Sequence, residues 1–133
     1  MKKRLTKSEM SIMNILWNEG KALTAMEIVE IAGKNKVWKT SSIHLLINKL
    51  LNKNVIEVAG FQKTTKNYAR TFLPVEDREK FMVAQIMDGE TVEEKKRIYK
   101  CLIEEEQDLE IIEYIQNILK EHRKKILNIS TKF

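Results

Sequence analysis

A chain of 133 residues with 43% hydrophobic and 32% charged residues is globular rather than disordered, and suits one domain or two small ones in mutual contact. At this size roughly two thirds of the unfolded surface can be buried without a covalent staple, and a single cysteine, Cys101, excludes an intrachain disulfide and a cysteine metal cluster. The net charge of +5 is unevenly spread: residues 1–73 hold 13 Lys/Arg against 5 Asp/Glu, a balance of +8, whereas residues 74–133 hold 11 against 14, a balance of −3.

Four glycines and one proline leave little material for a β-rich architecture or a glycine-rich phosphate loop, so the chain is predicted to be mainly α. The basic start, MKKRLTKSEM, is not followed by an apolar run. Neither a secretory signal nor a membrane span is predicted, and with the lone thiol this points to a cytoplasmic protein.

In chain order, the first helix is predicted from about Lys7 to Glu19, with Met10, Met13, Leu16 and Trp17 as its apolar stripe, Ile12 beside it, and Gly20 at its end. The second runs from Ala25 to about Ala32 and presents Ile28, Ile31 and Ala32. Thr6–Glu9, Thr24–Glu27 and Thr91–Glu94 all read T-x-x-E, the pattern in which Thr and Glu exchange hydrogen bonds with each other's backbone amides at a helix start. After the linker GKNKVWK comes KTSSIHLLINKLLNKNVIE, Lys39 to Glu57. Its helical spacing puts Ile43, Leu46, Ile47, Leu50 and Leu51 on one inner stripe. Val55–Ala59 and Tyr68–Leu73 alternate like strands around a basic turn, Gln62–Asn67, and predict a β-hairpin ended by Pro74. Three helices and a hairpin in that order describe a winged helix-turn-helix. Three more helices follow, at about Asp77–Met87, Val92–Glu105 and Leu109–Leu127, and the change of composition at Pro74 places a domain boundary between residues 1–73 and 74–133.

The outward face of the third helix carries Ser41, His44, Leu45, Asn48 and Asn52, with Lys49 on its flank and no acid. Those groups suit base edges in a DNA major groove. Asn bonds adenine at two points, His donates to guanine, Ser adapts to either, and Leu packs on the thymine methyl. Ser41, His44, Leu45 and Asn48 are therefore the base readers predicted from this face, to which the resemblance described below adds Ser42, and Lys39, Lys49, Lys63, Lys66 and Arg70 are the predicted phosphate contacts. Lys2, Lys3 and Arg4 extend the basic surface. In the last helix Leu109, Ile112, Ile115, Leu119 and Ile126 form a stripe that Ile111 and Ile118 widen beyond what two short neighbouring helices can cover, which predicts a homodimer.

These segments together resemble the penicillinase-repressor family of bacterial transcription regulators, the BlaI/MecI/CopY group. The resemblance starts at LTKSEMSIMNILW and TAMEIVE, runs through SSIHLLINKLLNKNVIE and NYARTFLP, and reaches EIIEYIQNIL. It implies a winged-helix DNA-binding domain, a three-helix dimerisation domain, and repression at palindromic operators of an antibiotic-resistance or stress-response operon. It carries Ser42, Ile43, His44, Leu45 and Asn48 onto recognition-helix positions. Members of the family often have Thr-Ile-Arg-Thr where this chain has Ser42-Ile43-His44-Leu45, which implies a different operator. β-Lactam-responsive members are cut by a sensor protease at an Asn-Phe bond, a place that Lys100-Cys101 occupies here, so that cleavage is not expected. Copper-responsive members end in paired Cys-x-Cys motifs, and no cysteine follows Cys101.

Other residues read as structural. Cys101 is expected to be a small buried hydrophobe beside Ile98, Leu102 and Ile103, and His122 to complement a helix C-terminus. Trp17 and Trp38 are expected in the packing. Two histidines and one cysteine make a poor zinc set. With no phosphate loop, dinucleotide fingerprint or nucleophile elbow, no enzyme, metal or cofactor is predicted. Two alternatives stay open on sequence alone: a ligand-gated winged-helix regulator, and a winged-helix module that binds another protein, against which the basic face counts.

Overall fold

The structure, a computed structural model, describes residues 3–33 and 38–131, without the side chains of residues 130 and 131. Lys2, expected in the basic surface, and residues 34–37 of the expected linker lie outside the described residues. The described elements are α1 (Lys7–Glu19), β1 (Leu23–Thr24), α2 (Ala25–Ala32), α3 (Thr40–Asn52), β2 (Ile56–Lys63), β3 (Tyr68–Pro74), α4 (Arg78–Met87), α5 (Val92–Glu105) and α6 (Leu109–Thr131). The chain divides into two compact units, residues 1–89 and 90–133.

The local signals act as the sequence predicts. Thr6, Thr24 and Thr91 each accept from the N3 amide, while Glu9, Glu27 and Glu94 each reach back to the cap amide. Gly20 takes the left-handed conformation, φ 66°, and its amide donates to Leu16 O. That geometry is open to glycine without a Cβ clash. In the first unit, Ile12, Met13, Leu16, Leu23, Ile28, Ile43, Ile47, Leu50, Val55, Ile56 and Phe72 form one core between the helices and the sheet.

Several expectations are corrected by packing. The buried face of α1 is Glu9, Ile12, Met13 and Leu16, with Met10 and Trp17 half-buried at its edge, so the inner stripe is rotated from the predicted one. On α2, Ala25 and Ile28 are buried while Ile31 is exposed. The sheet has a third strand, in the order β1-β3-β2, with Leu23 opposite Phe72 and Thr24 opposite Thr71. β2 continues to Lys63, so the hairpin turn is only residues 64–67, where Thr64 N and Oγ1 donate to Asn67 O at 2.6 and 2.7 Å.

Contacts divide the chain after Gly89 rather than at the compositional change after Leu73. The reason is α4. Its Phe81 is buried with its ring centroid 5.3 Å from that of Trp17, the Trp17 indole donates to Glu76 O at 3.0 Å, and Gln85 Nε2 donates to Lys3 O at 2.7 Å. In the second unit no described residue is buried. Ile98, Ile112 and Ile115 are half-buried, and most other apolar side chains of α5 and α6 are exposed.

Candidate nucleic-acid interface

The rotation of α3 is set by its apolar side. Ile43, Ile47 and Leu50 are fully buried, and Leu46 and Leu51 pack against the same core. On that rotation Ser41, His44, Leu45, Asn48 and Asn52 are exposed along i, i+3, i+4, i+7 and i+11, and Lys49 is exposed beside them. Leu45 is 56% exposed, in a row of polar groups. Ser42 is half-buried at the margin of the stripe. No acid occurs from Lys39 to Asn52. Isolated, an exposed leucine is ordinary; here it lies in an acid-free strip of small hydroxyls, an imidazole and two amides.

The start of α3 differs from the capped helices. Lys39 is its N-cap, extended at φ −68° and ψ 153°, with no side-chain cap hydrogen bond and no acid in the first turn. The first amide bonded within the helix is Ile43 N, to Lys39 O at 3.0 Å. The three amides before it and the helix dipole present a positive end, and exposed Lys39 adds a cation there.

The end of α3 is closed tightly. Asn54 N donates to Leu51 O at 3.0 Å and Val55 N to Leu50 O at 3.2 Å, with Asn54 left-handed at φ 59°. This is a Schellman closure with Asn where glycine is commonest, and Val55 and Leu50 supply its apolar contact, both buried. Lys53 then turns inward. Its Nζ donates to Arg4 O and to Glu9 Oε1, each at 2.9 Å, and lies 2.9 Å from Glu9 Oε2, which has no directed hydrogen bond. Burial pushes the Glu9 carboxyl up, but the Lys53 ammonium and the Thr6 amide and hydroxyl outweigh it and hold the group below the usual carboxylate range. The pair ties the last turn of α3 to the first turn of α1. Sequence reasoning saw Glu9 only as a capping residue, although its spacing to Ile12, Met13 and Leu16 already put it on the inner face.

Beyond the core, β2 and β3 extend as a wing. No acid occurs from Val58 to Val75, and Lys63, Lys66 and Arg70 are exposed. Arg70 Cζ lies 5.3 Å from the centroid of the Phe72 ring, so its stem is braced while the group remains accessible. Phe61 and Tyr68, which sequence reasoning did not single out, are exposed on the same hairpin. Lys3 donates to Asn54 O at 3.1 Å, which engages it within the fold, whereas Arg4 is exposed.

In the second unit, Leu109, Leu119 and Ile126 are exposed, whereas Ile112 and Ile115 are half-buried within the chain. Two expectations fail there. Cys101 is exposed, because no described residue of α5 is buried by this chain. His122 lies more than two turns before the end of α6, too far for a dipole effect confined to the last turn. Among the described residues no cluster of three or more His, Cys, Asp or Glu is placed to hold a metal ion, and no helix is long and apolar enough to cross a membrane.

The penicillinase repressor family matches residues 5–119. The chain belongs to that family. As a member it is a DNA-binding transcriptional regulator, and its α1–β1–α2–α3–β2–β3 order is the family's winged helix-turn-helix. A comparison with curated proteins finds no match. Among solved structures, RosR of H. salinarum is similar at 13% identity and a TM-score of 0.45, over 79% of this chain and 96% of that one.

Proposed function

We propose that this penicillinase-repressor family member is a transcriptional repressor that binds palindromic operators as a homodimer. Ser41, Ser42, His44, Leu45 and Asn48 read base edges in the major groove, with Ser42 limited to the reach of its half-buried position. Lys39, Lys49, Lys63, Lys66 and Arg70 hold phosphates. The observation that carries this reading is the exposed, acid-free face of α3, fixed outward by Ile43, Ile47 and Leu50. A carboxylate there would repel phosphate, and amide and imidazole groups have most value against a base edge.

Dimerisation is supported by the second unit, whose Leu109, Leu119 and Ile126 are exposed and which buries none of its described residues. Ile112 and Ile115 complete the proposed interface from their half-buried positions. A symmetric pair covers the same patch on both copies and sets two recognition helices roughly 34 Å apart, or a small multiple of helical turns, hence a palindrome. Control of an antibiotic-resistance or stress-response operon, a cytoplasmic location, and release by a sensor protease at a bond other than Lys100–Cys101, or by a ligand, complete the proposal.

The test is footprinting of the intact chain on the DNA upstream of its own gene, followed by salt titration of variants on the protected duplex and a scrambled one. Asn48→Ala is expected to cost about 1–3 kcal/mol on the protected duplex and little on the scrambled one. Lys66→Ala is expected to weaken both alike and to lower the slope of log K against log salt by about 1. Equal losses for Asn48→Ala on both duplexes would remove α3 from base reading.

A further inference from the structure

The register of the wing places Phe61 opposite Arg70 and Lys63 opposite Tyr68. Directly opposed residues share a face of the sheet, so these four side chains form a checkerboard of two rings and two cations. The other face at the same level carries Gln62 and Ala69. One step toward the core, Val58 faces Phe72, and Phe72 is buried. The core therefore ends where the checkerboard begins. Phe61 is 70% exposed and Tyr68 68%, the most exposed large hydrophobic residues described in the first unit. Among the described residues neither ring packs on another ring, and the Tyr68 hydroxyl has no hydrogen-bond partner.

Phosphate binding needs the cations and does not explain the rings. A surface that matches both is anionic at its rims and apolar along its walls. The DNA minor groove, about 6 Å wide between two phosphate rows and walled by deoxyribose, has that character. We infer that Phe61 and Tyr68 are apolar wedges for the minor groove of operator DNA, flanked by Lys63, Lys66 and Arg70 on the phosphates of its two strands. This rests on the reading that the chain binds duplex DNA. Rings pressed against a base step partly unstack it, at least cost where the step is flexible, as at pyrimidine–purine steps. The wing then contributes sequence dependence through DNA deformability without a hydrogen bond to any base, and it bends the duplex. The bulge between Val58 and Gly60, which increases the local twist of the ribbon, lies at the root of the wedge.

The experiment uses the intact chain and a duplex that it selects from a random library. Phe61→Ala/Tyr68→Ala is expected to weaken binding at least tenfold with the salt slope unchanged, because no phosphate contact is lost. Lys63→Ala lowers the slope by about 1. Tyr68→Phe retains wild-type affinity, since the ring and not the hydroxyl is used. Energy transfer between dyes at the duplex ends reports a bend with the wild type that the double variant loses. Thermal melting of the variants stays at the wild-type value because both side chains are exposed. A loss of less than threefold for the double variant, with wild-type binding intact, overturns the wedge while the DNA-binding reading stands, and assigns the rings to a second copy or a protein partner. If the intact chain selects no duplex, the DNA-binding reading fails and the wedge fails with it.

Discussion

Replacing Lys53 by Met tests the tie between the recognition helix and α1. The Glu9 side chain is fully buried and that of Lys53 is 36% exposed, with Nζ 2.9 Å from both carboxylate oxygens. Removing one partner of a buried ion pair costs about 3–5 kcal/mol, because the other charge is left uncompensated. Water reaches Lys53, so part of the attraction is already screened, and Glu9 still accepts from Thr6 N at 3.0 Å. A cost of about 2 kcal/mol at pH 7 is expected, a fall in melting temperature of roughly 5–10 °C. Urea titrations followed by tryptophan fluorescence are suited to it, since Trp17 and Trp38 both belong to the first unit. The sign with pH follows from Glu9. Its native carboxyl is held below the usual range, so the native state binds fewer protons than the unfolded one. The stability it supplies is fully present above the unfolded value of about 4.3 and is lost as pH falls through the lowered native value. Without Lys53 two of the influences that lower the carboxyl are gone, so it rises from its wild-type position. The variant then gains on the wild type as the medium is acidified, and the gap measured at pH 7 narrows toward pH 3. A cost below about 0.5 kcal/mol at pH 7, or a gap that widens on acidification, refutes the buried-charge argument.

Asn54→Val should destabilise the first unit by about 1–2 kcal/mol in the same titrations, since a β-branched residue is strained at φ 59°, whereas Asn54→Gly should stay within about 0.5 kcal/mol of wild type. A chain ending at Gly89 should keep the core of the first unit and sediment as a monomer, while the intact chain sediments as a dimer at micromolar concentration; a monomeric intact chain rejects the interface on α6. Co-expression with a matching sensor protease should leave the Lys100–Cys101 bond uncut, because it lies inside α5 where the backbone is hydrogen-bonded and not extended; a fragment whose mass ends at Lys100 contradicts this.

The parts of the fold that were legible in the sequence are those decided within one or two turns. Thr6, Thr24 and Thr91 announce helix starts because both halves of a capping box lie three residues apart. The outward row of α3 was legible because Ile43, Ile47 and Leu50 leave a single rotation open. What escaped depends on distant partners. β1 is two residues long and exists only because Leu23 and Thr24 pair with Phe72 and Thr71. Composition put a boundary at Pro74, but Phe81 is held by Trp17 far back in the chain, so α4 stays with the first unit. Glu9 was legible as a cap and not as an ion-pair partner, since Lys53 reaches it across 44 residues of sequence. The predicted end of α6 at Leu127 was short because no glycine or proline follows to stop it. In the wing, alternation marked the strands, while the exposure of Phe61 and Tyr68 follows from where the core ends, which alternation does not record.

The two units solve the burial problem differently, and that difference bears on regulation. The first closes a core around Ile12, Leu16, Ile28, Ile43, Ile47 and Leu50, each fully buried, so it holds the shape of α3 whether or not another molecule is present. The second is a 14-residue helix and a 23-residue helix that bury no described side chain between them. Helices in water draw most of their stability from packing an apolar face rather than from propensity. On the proposed dimer reading, the second unit therefore gains its packing at the moment of association, and its stability depends on protein concentration by mass action. An agent that loosens α5 or α6 can then dissolve the dimer and release a palindromic operator while each recognition helix stays folded.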